Sequence, residues 1–362
     1  MSWDELTDRL MDSGALSADW EEIFRALPRD RFMPTRIYHD GEWIDRATGP
    51  SRWSELACSD LPLVTQLYEG TDTPSSSSSM PTVVATMLRH LDAADGMRVL
   101  EVGTGTGWTA GLLSRRLGAV NVVSIEVDAA LAADARARLG ALGLRPRVVV
   151  GDGMLGHPAG APFQRLHLTA AVQQLPAALI EQCEPGAVIL APYGTAFCNG
   201  ALARLTVAAD GKSASGPFVA DVAFMWVRNQ RPCSGAFDIE DVRYSRSEID
   251  PATIADNTDA SFAIGLRMPY LFRQSIWASY DRYGTGRFEI WDGVSYAHCR
   301  LADWQGEHAV SQSGPRNLWD EVTAAYRWWQ RHGGPDLSRL GLTVTTAGEH
   351  RAWLDDPNHV MR

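Results

Sequence analysis

The segment Arg98-Val-Leu-Glu-Val-Gly-Thr-Gly-Thr-Gly107 decides the fold of this 362-residue chain. Residues 98–102 predict a buried strand, 103–107 a glycine-rich turn, and 108–117 a helix with leucines on one side. Glycines at alternate positions allow positive φ angles and remove Cβ atoms, so a ligand can lie against the main chain. Open α/β sheets hold a nucleotide with such a strand, turn and helix start, at the carboxyl ends of their strands. The segment therefore predicts a Rossmann-like, doubly wound α/β sheet.

The spacing of the glycines indicates which nucleotide is bound. Gly103, Gly105 and Gly107 form Gly-x-Gly-x-Gly, whereas Gly-x-Gly-x-x-Gly is the pattern that cradles a pyrophosphate. A ligand without phosphates needs close approach of the backbone but no helix N-terminus aimed at an anion. S-adenosyl-L-methionine has this chemistry. Thr104, inside the turn, belongs to the predicted cofactor site.

Acidic residues further along complete the predicted cofactor site. Glu126 ends the next apolar run, ~20 residues beyond the glycines, where a carboxylate accepts hydrogen bonds from the two ribose hydroxyls. Asp152 and Gly153 follow the strand after that, and Asp152 is placed to accept a hydrogen bond from the adenine amino group. Glu101 either contacts the cofactor or caps the turn by accepting from backbone amides. The order and spacing of these pieces predict binding of S-adenosyl-L-methionine.

A run of five serines precedes the cofactor strand, in Pro74-Ser-Ser-Ser-Ser-Ser-Met-Pro81. On composition alone, this run is typical of a flexible linker. Residues 82–91, however, predict an amphipathic helix, which places the serines at the helix N-cap. Hydroxyls and free backbone N–H groups at a helix start favour an anion, so we expect an anion-binding segment here.

Composition and charge argue against several other classes of protein. The net charge of -11 is opposite to the basic face that a nucleic-acid-binding surface needs. No apolar run approaches the ~20 residues that span a bilayer, and the first residues lack the pattern of a signal peptide. The five cysteines are odd in number and lack Cys-x-x-Cys spacing, which is typical of reduced thiols in a cytoplasmic protein. No metal site is predicted, and the oligomeric state is left open.

The length favours two domains, and a change in composition after residue 228 sets the boundary. The expected parts are an N-terminal helical, substrate-covering segment (1–80), the cofactor domain (81–228), a linker (229–250) and a C-terminal α+β domain (251–362). In the last part, the patterns predict a helix at 318–330 and strands at 261–275, 287–291, 296–301 and 340–346. The many tryptophans there either form a core or grip a peptide or a partner subunit.

Residues ~20 to 228 resemble the protein-L-isoaspartate (D-aspartate) O-methyltransferase family. The matching pieces lie both ahead of the cofactor strand and within the cofactor domain, and they are Leu27-Pro-Arg-Asp-Arg-Phe-Met-Pro34, Asp60-Leu-Pro-Leu63, Ser79-Met-Pro81, 99–108, Gly151-Asp-Gly153 and Pro192-Tyr-Gly194. The resemblance implies a class I methyltransferase sheet and transfer of a methyl group to an aspartyl or isoaspartyl carboxylate of a peptide or protein. It also implies that Ser79 is the active-site serine.

The implied reaction needs few catalytic groups. A carboxylate with a pKa near ~4 is already ionised at neutral pH and requires no general base. It must be desolvated and held in line with the sulfonium methyl group, within ~3 to 3.5 Å. Neutral donors orient the carboxylate without weakening it as a nucleophile. Ser79 is the first candidate for this catalytic role, with Ser78 and Thr82 as neighbours, and the alternative for Ser79 is a plain helix N-cap.

Two features depart from isoaspartate repair enzymes, which usually carry His or Tyr where Thr82 follows Pro81 and lack a C-terminal domain of this size. Both features resemble the actinobacterial branch that methylates a specific aspartate in ribosomally made peptides, such as lanthipeptides and ATP-grasp-ligase peptides. In that branch the neighbouring backbone nitrogen attacks the ester, giving aspartimide or, after hydrolysis, isoaspartate. The alternatives are isoaspartate repair and a non-catalytic protein that uses the fold to bind a peptide.

Overall fold

The computed structural model describes residues 1–232, 241–277 and 286–361. Its helices are α1 (Trp3–Asp12), α2 (Ala18–Ala26), α3 (Pro50–Ala57), α4 (Pro81–Leu91), α5 (Trp108–Leu117), α6 (Ala129–Ala141), α7 (Ala177–Glu181), α8 (Ala252–Ala255), α9 (Thr258–Arg267) and α10 (Leu318–Arg331). Its strands are β1 (Arg36–His39), β2 (Glu42–Asp45), β3 (Leu63–Leu67), β4 (Pro74–Ser78), β5 (Val99–Val102), β6 (Val122–Glu126), β7 (Arg147–Val150), β8 (Phe163–Leu168), β9 (Cys183–Gly194), β10 (Asn199–Val207), β11 (Ser213–Ala220), β12 (Arg243–Ser245), β13 (Phe272–Ile276), β14 (Arg287–Trp291), β15 (Tyr296–Arg300), β16 (Val310–Ser313), β17 (Leu340–Thr345) and β18 (His350–Leu354).

The centre of the molecule is a nine-stranded sheet in the order β18-β17-β11-β10-β9-β8-β5-β6-β7. The strands from β9 to β7 in this order are parallel, and β5 pairs with β6 on one side and β8 on the other. The strand order reverses at β5, which is where open α/β sheets form a ligand crevice. The predicted Rossmann-like, doubly wound sheet is therefore confirmed. The remaining strands, β10, β11, β17 and β18, pair antiparallel, so the complete sheet is mixed.

Hydrophobic layers cover both faces of this sheet. Leu100 and Val102 of β5 pack into one cluster, whereas Val99 packs into another with Leu88 of α4 and Leu112 of α5. Successive side chains of a strand point to opposite faces. The alternate residue Glu101 therefore lies on the face that α4 and α5 cover.

The predicted N-terminal helical segment is helical only in part. Residues 36–78 contain a four-stranded antiparallel sheet in the order β2-β1-β3-β4. The serine run is the edge strand β4, and its backbone pairs with β3, with Leu63 opposite Ser78. It is neither a linker nor an N-cap, because Met80 occupies the N-cap of α4 and Pro81 begins that helix. Strand formation depends strongly on context. Hydrogen bonds to β3 make this polar segment a strand, although its sequence has no strand pattern.

The predicted strand at 261–275 is wrong up to residue 271, and only residues 272–275 lie in a strand. These residues form most of α9 and then β13. Asn257 caps α9 by accepting a hydrogen bond from Ala260 N. The helix is buried on all sides, since Phe262 packs into the core of the central sheet and Ile264 into the C-terminal core. A helix that is apolar all round shows no amphipathic period, so its apolar run looks like a buried strand.

The other C-terminal elements agree with the predictions, but their arrangement differs. The hairpin of β14 and β15 and the helix α10 are present, and β12 to β16 form a five-stranded sheet in the order β12-β16-β15-β14-β13. β17 instead pairs with β11, with Thr343 opposite Ser215, and β18 follows it. The end of the chain thus returns to the central sheet. The linker at 229–250 stays a prediction, and its residues 233–240 lie outside the described residues.

The cysteines within the described ranges, Cys58, Cys183, Cys198 and Cys299, are free thiols, while Cys233 lies outside those ranges. Across the same ranges, no helix combines the length and the apolar character required to cross a bilayer.

Candidate active site

A cavity of about 780 Å³ opens at the carboxyl ends of β5 and β6. The glycine turn, the end of β6 and the residues that follow β6 and β7 line it. β4, Ser79 and residues 221–229 line it as well. Most of the predicted site residues lie in this wall, namely Ser78, Ser79, Gly103, Thr104, Gly105, Glu126, Asp152 and Gly153.

The three glycines of the turn all have positive φ angles, +98° at Gly103, +53° at Gly105 and +88° at Gly107, but they serve different purposes. A Cβ on Gly103 would collide with Thr169, and a Cβ on Gly107 would lie 3.2 Å from that of Ala135. These two glycines allow close packing inside the protein, and Gly107 lies outside the cavity wall. Gly105 faces the cavity, so it is the position where the turn admits a ligand against the backbone.

Glu126 is held rigidly at the edge of the cavity. Its Oε2 accepts a hydrogen bond from Gly105 N at 2.8 Å, and its Oε1 accepts one from Asp128 N at 3.1 Å. A carboxylate oxygen has two lone pairs, so each oxygen can accept a further bond from a ribose hydroxyl. Asp152 is more exposed and accepts from Met154 N at 2.9 Å through Oδ1. Both carboxylates line the cavity, and their contacts with ribose and adenine stay predictions.

Glu101 was predicted either to contact the cofactor or to cap the glycine turn, and its observed position matches neither role. Its side chain is fully buried and lies outside the cavity wall. Oε2 accepts from the hydroxyl of Ser124 at 2.5 Å, which is a side-chain donor and not a backbone amide of the turn. Burial raises the pKa of Glu101 to about 8.

The serines of β4 are also part of the cavity wall. Ser78 is 3% exposed, and its Oγ has no hydrogen-bond partner among the described residues. Thr65 Oγ1 donates a hydrogen bond to Ser76 Oγ at 3.2 Å, and Ser75 Oγ donates one to Gln66 Oε1 at 2.8 Å. Ser79 is half-buried. Ser77, Ser78 and Ser79 are therefore the serines of this wall whose hydroxyls have no partner among the described residues.

Thr82, the third predicted member of the catalytic group, is not brought to the cavity. Its backbone N and its Oγ1 both donate to the carboxylate of Asp60, at 2.9 Å and 2.6 Å. Asp60 thus supplies the side-chain cap that Met80 cannot provide for α4. The hydroxyl of Thr82 is committed to this contact.

Sequence reasoning missed the residue that holds the serine segment in place. The guanidinium of Arg29 is fully buried and donates to the carbonyls of Leu56, Ala57, Ser59, Leu61 and Ser79. Burial lowers the pKa of Arg29 to about 10. The resemblance motif at residues 27–34 contains this arginine, but a motif does not show which carbonyls a side chain will reach.

A second missed group is an exposed arginine in the cavity wall. Arg228 is the only cation among the described residues that line it. The Oδ2 of Asp128 accepts from Arg228 at 3.4 Å and from Gln66 at 3.2 Å. Asp128 thereby joins β3 and the segment after β11 to the start of α6, beside Glu126. The guanidinium also lies 5.8 Å from the ring centroid of Tyr68.

The observed cavity fits S-adenosyl-L-methionine. Gly105 lets the backbone approach a ligand, and Glu126 and Asp152 offer acceptors where ribose and adenine groups would lie. The bound cofactor would supply an electrophilic methyl group, and the serines in the cavity wall would offer neutral donors to a carboxylate acceptor. A glycine turn at the switch point of a doubly wound sheet, beside such a cavity, defines the class of S-adenosyl-L-methionine-dependent methyltransferases.

Comparison with known sequences identifies the family. The profile of the Protein-L-isoaspartate(D-aspartate) O-methyltransferase (PCMT) family matches residues 2–230, and the chain belongs to this family. The protein-L-isoaspartate O-methyltransferase of Anaeromyxobacter dehalogenans (strain 2CP-C) is 44% identical over 154 residues, covering 41% of this chain and 73% of that protein. Protein-L-isoaspartate O-methyltransferase 2 of Archaeoglobus fulgidus is 34% identical over 200 residues, covering 54% and 81%. The protein is thus an S-adenosyl-L-methionine-dependent O-methyltransferase of this family.

One solved structure shares the fold along nearly the whole chain. A protein-L-isoaspartate O-methyltransferase has the same fold with a TM-score of 0.56 at 18% identity, over 98% of this chain and 100% of that one. The likeness in fold therefore includes the C-terminal region.

Proposed function

We propose that this methyltransferase esterifies an aspartyl side-chain carboxylate in a ribosomally made, modified peptide, and that the ester then gives aspartimide or isoaspartate. One observation carries the proposal. A strand of serines lines the same cavity as the glycine turn, Glu126 and Asp152, which have the form of a cofactor site.

The serine wall matches the needs of a carboxylate acceptor. The buried hydroxyl of Ser78 has no protein partner in the described chain, and a buried donor without an acceptor is costly. A substrate carboxylate oxygen is such an acceptor. Hydroxyls at Ser78 and Ser79 would orient the carboxylate toward the methyl group and leave its negative charge intact. An arginine in direct contact would neutralise that charge. The carboxylate is ionised at neutral pH, so the chemistry requires no general base.

The start of α4 is where the chain departs from the repair enzymes it resembles. Thr82 stands where repair enzymes of the family usually carry His or Tyr, and its hydroxyl is tied to Asp60, away from the cavity wall. This departure supports a modified peptide as the substrate only through the resemblance to the peptide-modifying branch.

The second candidate function is repair of isoaspartyl residues in proteins. It is supported by the curated relatives and by the solved structure that matches through the C-terminal region. Repair requires the cavity to accept a linear isoaspartyl segment of any sequence. The two functions therefore differ in the substrate peptide and not in the methyl transfer.

Intact-mass spectrometry after incubation with S-adenosyl-L-methionine distinguishes the two functions. Three peptides are compared: a macrocyclic peptide with an aspartate in the ring, its linear sequence, and the linear sequence with isoaspartate. We expect methyl addition, or later loss of water, on the macrocycle alone. Methylation of the linear isoaspartyl peptide with no reaction of the macrocycle would replace our proposal by repair.

A further inference from the structure

Three buried polar side chains lie side by side beneath the glycine turn. Glu101 of β5 is in register with Ser124 of β6 and with His167 of β8. Register partners on neighbouring parallel strands are ~4.8 Å apart and point to the same face of the sheet. Their exposed fractions are 0% for Glu101 and Ser124 and 1% for His167. Apolar side chains such as Val99 and Val122 pack around this row, and the buried Arg165 lies on the same face, in register with Val99.

The hydrogen bonds of this row have a defined direction. The Ser124 hydroxyl has one proton and donates it to Glu101 Oε2 at 2.5 Å. Thr104 Oγ1 lies 2.6 Å from Ser124 Oγ, so Thr104 must be the donor in that contact. The chain therefore runs inward, from Thr104 through Ser124 to Glu101. Thr104 lines the cofactor cavity, so the chain begins in the cavity wall.

The inner end of the row contains polar atoms that lack protein partners. Neither Oε1 of Glu101 nor either ring nitrogen of His167 is hydrogen-bonded within the described residues. Buried polar atoms are nearly always bonded, and an internal water commonly bridges those that the protein leaves apart. Burial also raises the pKa of Glu101 to about 8 and lowers that of His167 to about 4, so both side chains are neutral at pH 7. A neutral carboxyl that accepts at Oε2 carries its proton on Oε1, where it needs an acceptor.

We propose that Glu101 and His167 are positioning residues for cofactor binding: the proton on Glu101 Oε1 is donated through an internal water to a ring nitrogen of His167. The row from His167 to Thr104 then holds the hydroxyl of Thr104, and with it the glycine turn, in the geometry that the cofactor needs. His167 fixes which oxygen of Glu101 carries the proton. The assignment rests on cofactor binding alone and is independent of which peptide is methylated.

Calorimetric titration with S-adenosyl-L-homocysteine measures the Kd of variants at each residue of the row. We expect Ser124→Ala, Glu101→Leu and His167→Leu each to raise the Kd about tenfold, because each leaves a buried polar partner unbonded. Glu101→Gln keeps the shape and a neutral donor and acceptor, so its Kd should stay within about twofold of wild type. His157→Asn is the matched control, because His157 also has a buried, unpartnered ring nitrogen but lies outside the row.

The spectrum of ¹⁵N-histidine gives a readout that simple loss of packing would not change. We expect His167 to be a neutral imidazole in a single tautomer in the wild type and in Glu101→Gln, and to lose that preference in Glu101→Leu. A Kd for Glu101→Gln as weak as for Glu101→Leu would overturn the proposal, since it would mean that the negative charge is needed. Wild-type affinity in His167→Leu would overturn it equally. If Glu101→Leu does not fold, the milder Ser124→Ala and Glu101→Gln variants decide the outcome.

Discussion

Arg29 donates a hydrogen bond from Nη1 to the carbonyl oxygen of Ser79 at 3.1 Å, although 50 positions separate the two residues in the chain. The same buried guanidinium donates to four carbonyls between residues 56 and 61. The arginine thereby fixes the end of the serine strand against the segment that contains Asp60. The position of Ser79 in the cavity depends on this one side chain.

Arg29→Lys should destabilise the fold by about 2 to 4 kcal/mol, because lysine has three donors and leaves buried carbonyls unbonded. Urea unfolding measures the change, with the exposed Arg31→Lys as control. The kcat should also fall, since Ser79 is no longer held. Equal unfolding midpoints for the two variants would mean that the guanidinium network has no structural role.

Ser78→Ala and Ser79→Ala should each lower kcat about tenfold, because each removes one donor to the reacting carboxylate. The Kd for S-adenosyl-L-homocysteine should not change, since neither hydroxyl belongs to the cofactor side of the cavity. Ser54→Ala, an exposed serine on α3, is the control. Full activity in both Ser78→Ala and Ser79→Ala would remove the serine wall from the mechanism.

Glu126→Gln should weaken cofactor binding about tenfold or more, because its NH₂ group would face a backbone N–H of Gly105 or Asp128. Calorimetry measures the Kd, and the exposed Glu55→Gln serves as the charge-matched control. An unchanged Kd would show that the ribose lies elsewhere.

The raised pKa of Glu101 predicts a pH-dependent stability. The carboxyl titrates at about 8 in the folded protein and near its ordinary 4.5 when unfolded. Its contribution is complete below pH 4.5 and is lost as the pH rises toward 8, because the unfolded state gives up its proton first. Relative to Glu101→Gln, the wild type should therefore lose stability between pH 5 and pH 8.

Urea unfolding of the wild type and Glu101→Gln across that pH range measures this difference. The lowered pKa of His167 has the opposite effect on stability, which it reduces as the pH falls. Both proteins contain His167, so this effect cancels in the difference between them. A difference in unfolding free energy that stays constant with pH would show that Glu101 is ionised in the fold.

Arg228→Gln should raise the KM for a peptide with acidic residues beside the target aspartate about fivefold and leave kcat nearly unchanged, since the guanidinium is an exposed cation in the cavity wall. Arg246→Gln is the matched control, because Arg246 is likewise paired with one carboxylate, that of Glu307, at 2.8 Å. A peptide without flanking charges should show no change in KM. An equal change for both peptides would argue against recognition of acidic residues.

The features that could be predicted from the sequence are local in the chain. Gly105, Glu126 and Asp152 lie at the ends of their strands or just after them, and parallel strands bring their carboxyl ends to one edge of the sheet. The pattern of strand, turn and helix therefore predicted the fold, and the three residues line one cavity.

The features that escaped prediction depend on contacts between distant segments. The serine run forms a strand only because β3 supplies its hydrogen bonds, and α9 is apolar on all sides because it lies between two cores. Arg29 meets Ser79, and Arg228 meets Asp128, across 50 and 100 residues. No local pattern encodes such pairs, since they follow from the packing of the complete fold.

The most direct test of carboxyl methylation uses S-adenosyl-L-methionine labelled in its methyl group. After reaction with the macrocyclic aspartyl peptide, the product is exposed to mild base. We predict that the label leaves as methanol, because a methyl ester hydrolyses under these conditions, and that Ser79→Ala transfers much less label. Label that remains on the peptide through the base treatment would show methylation of nitrogen or carbon and would contradict the account.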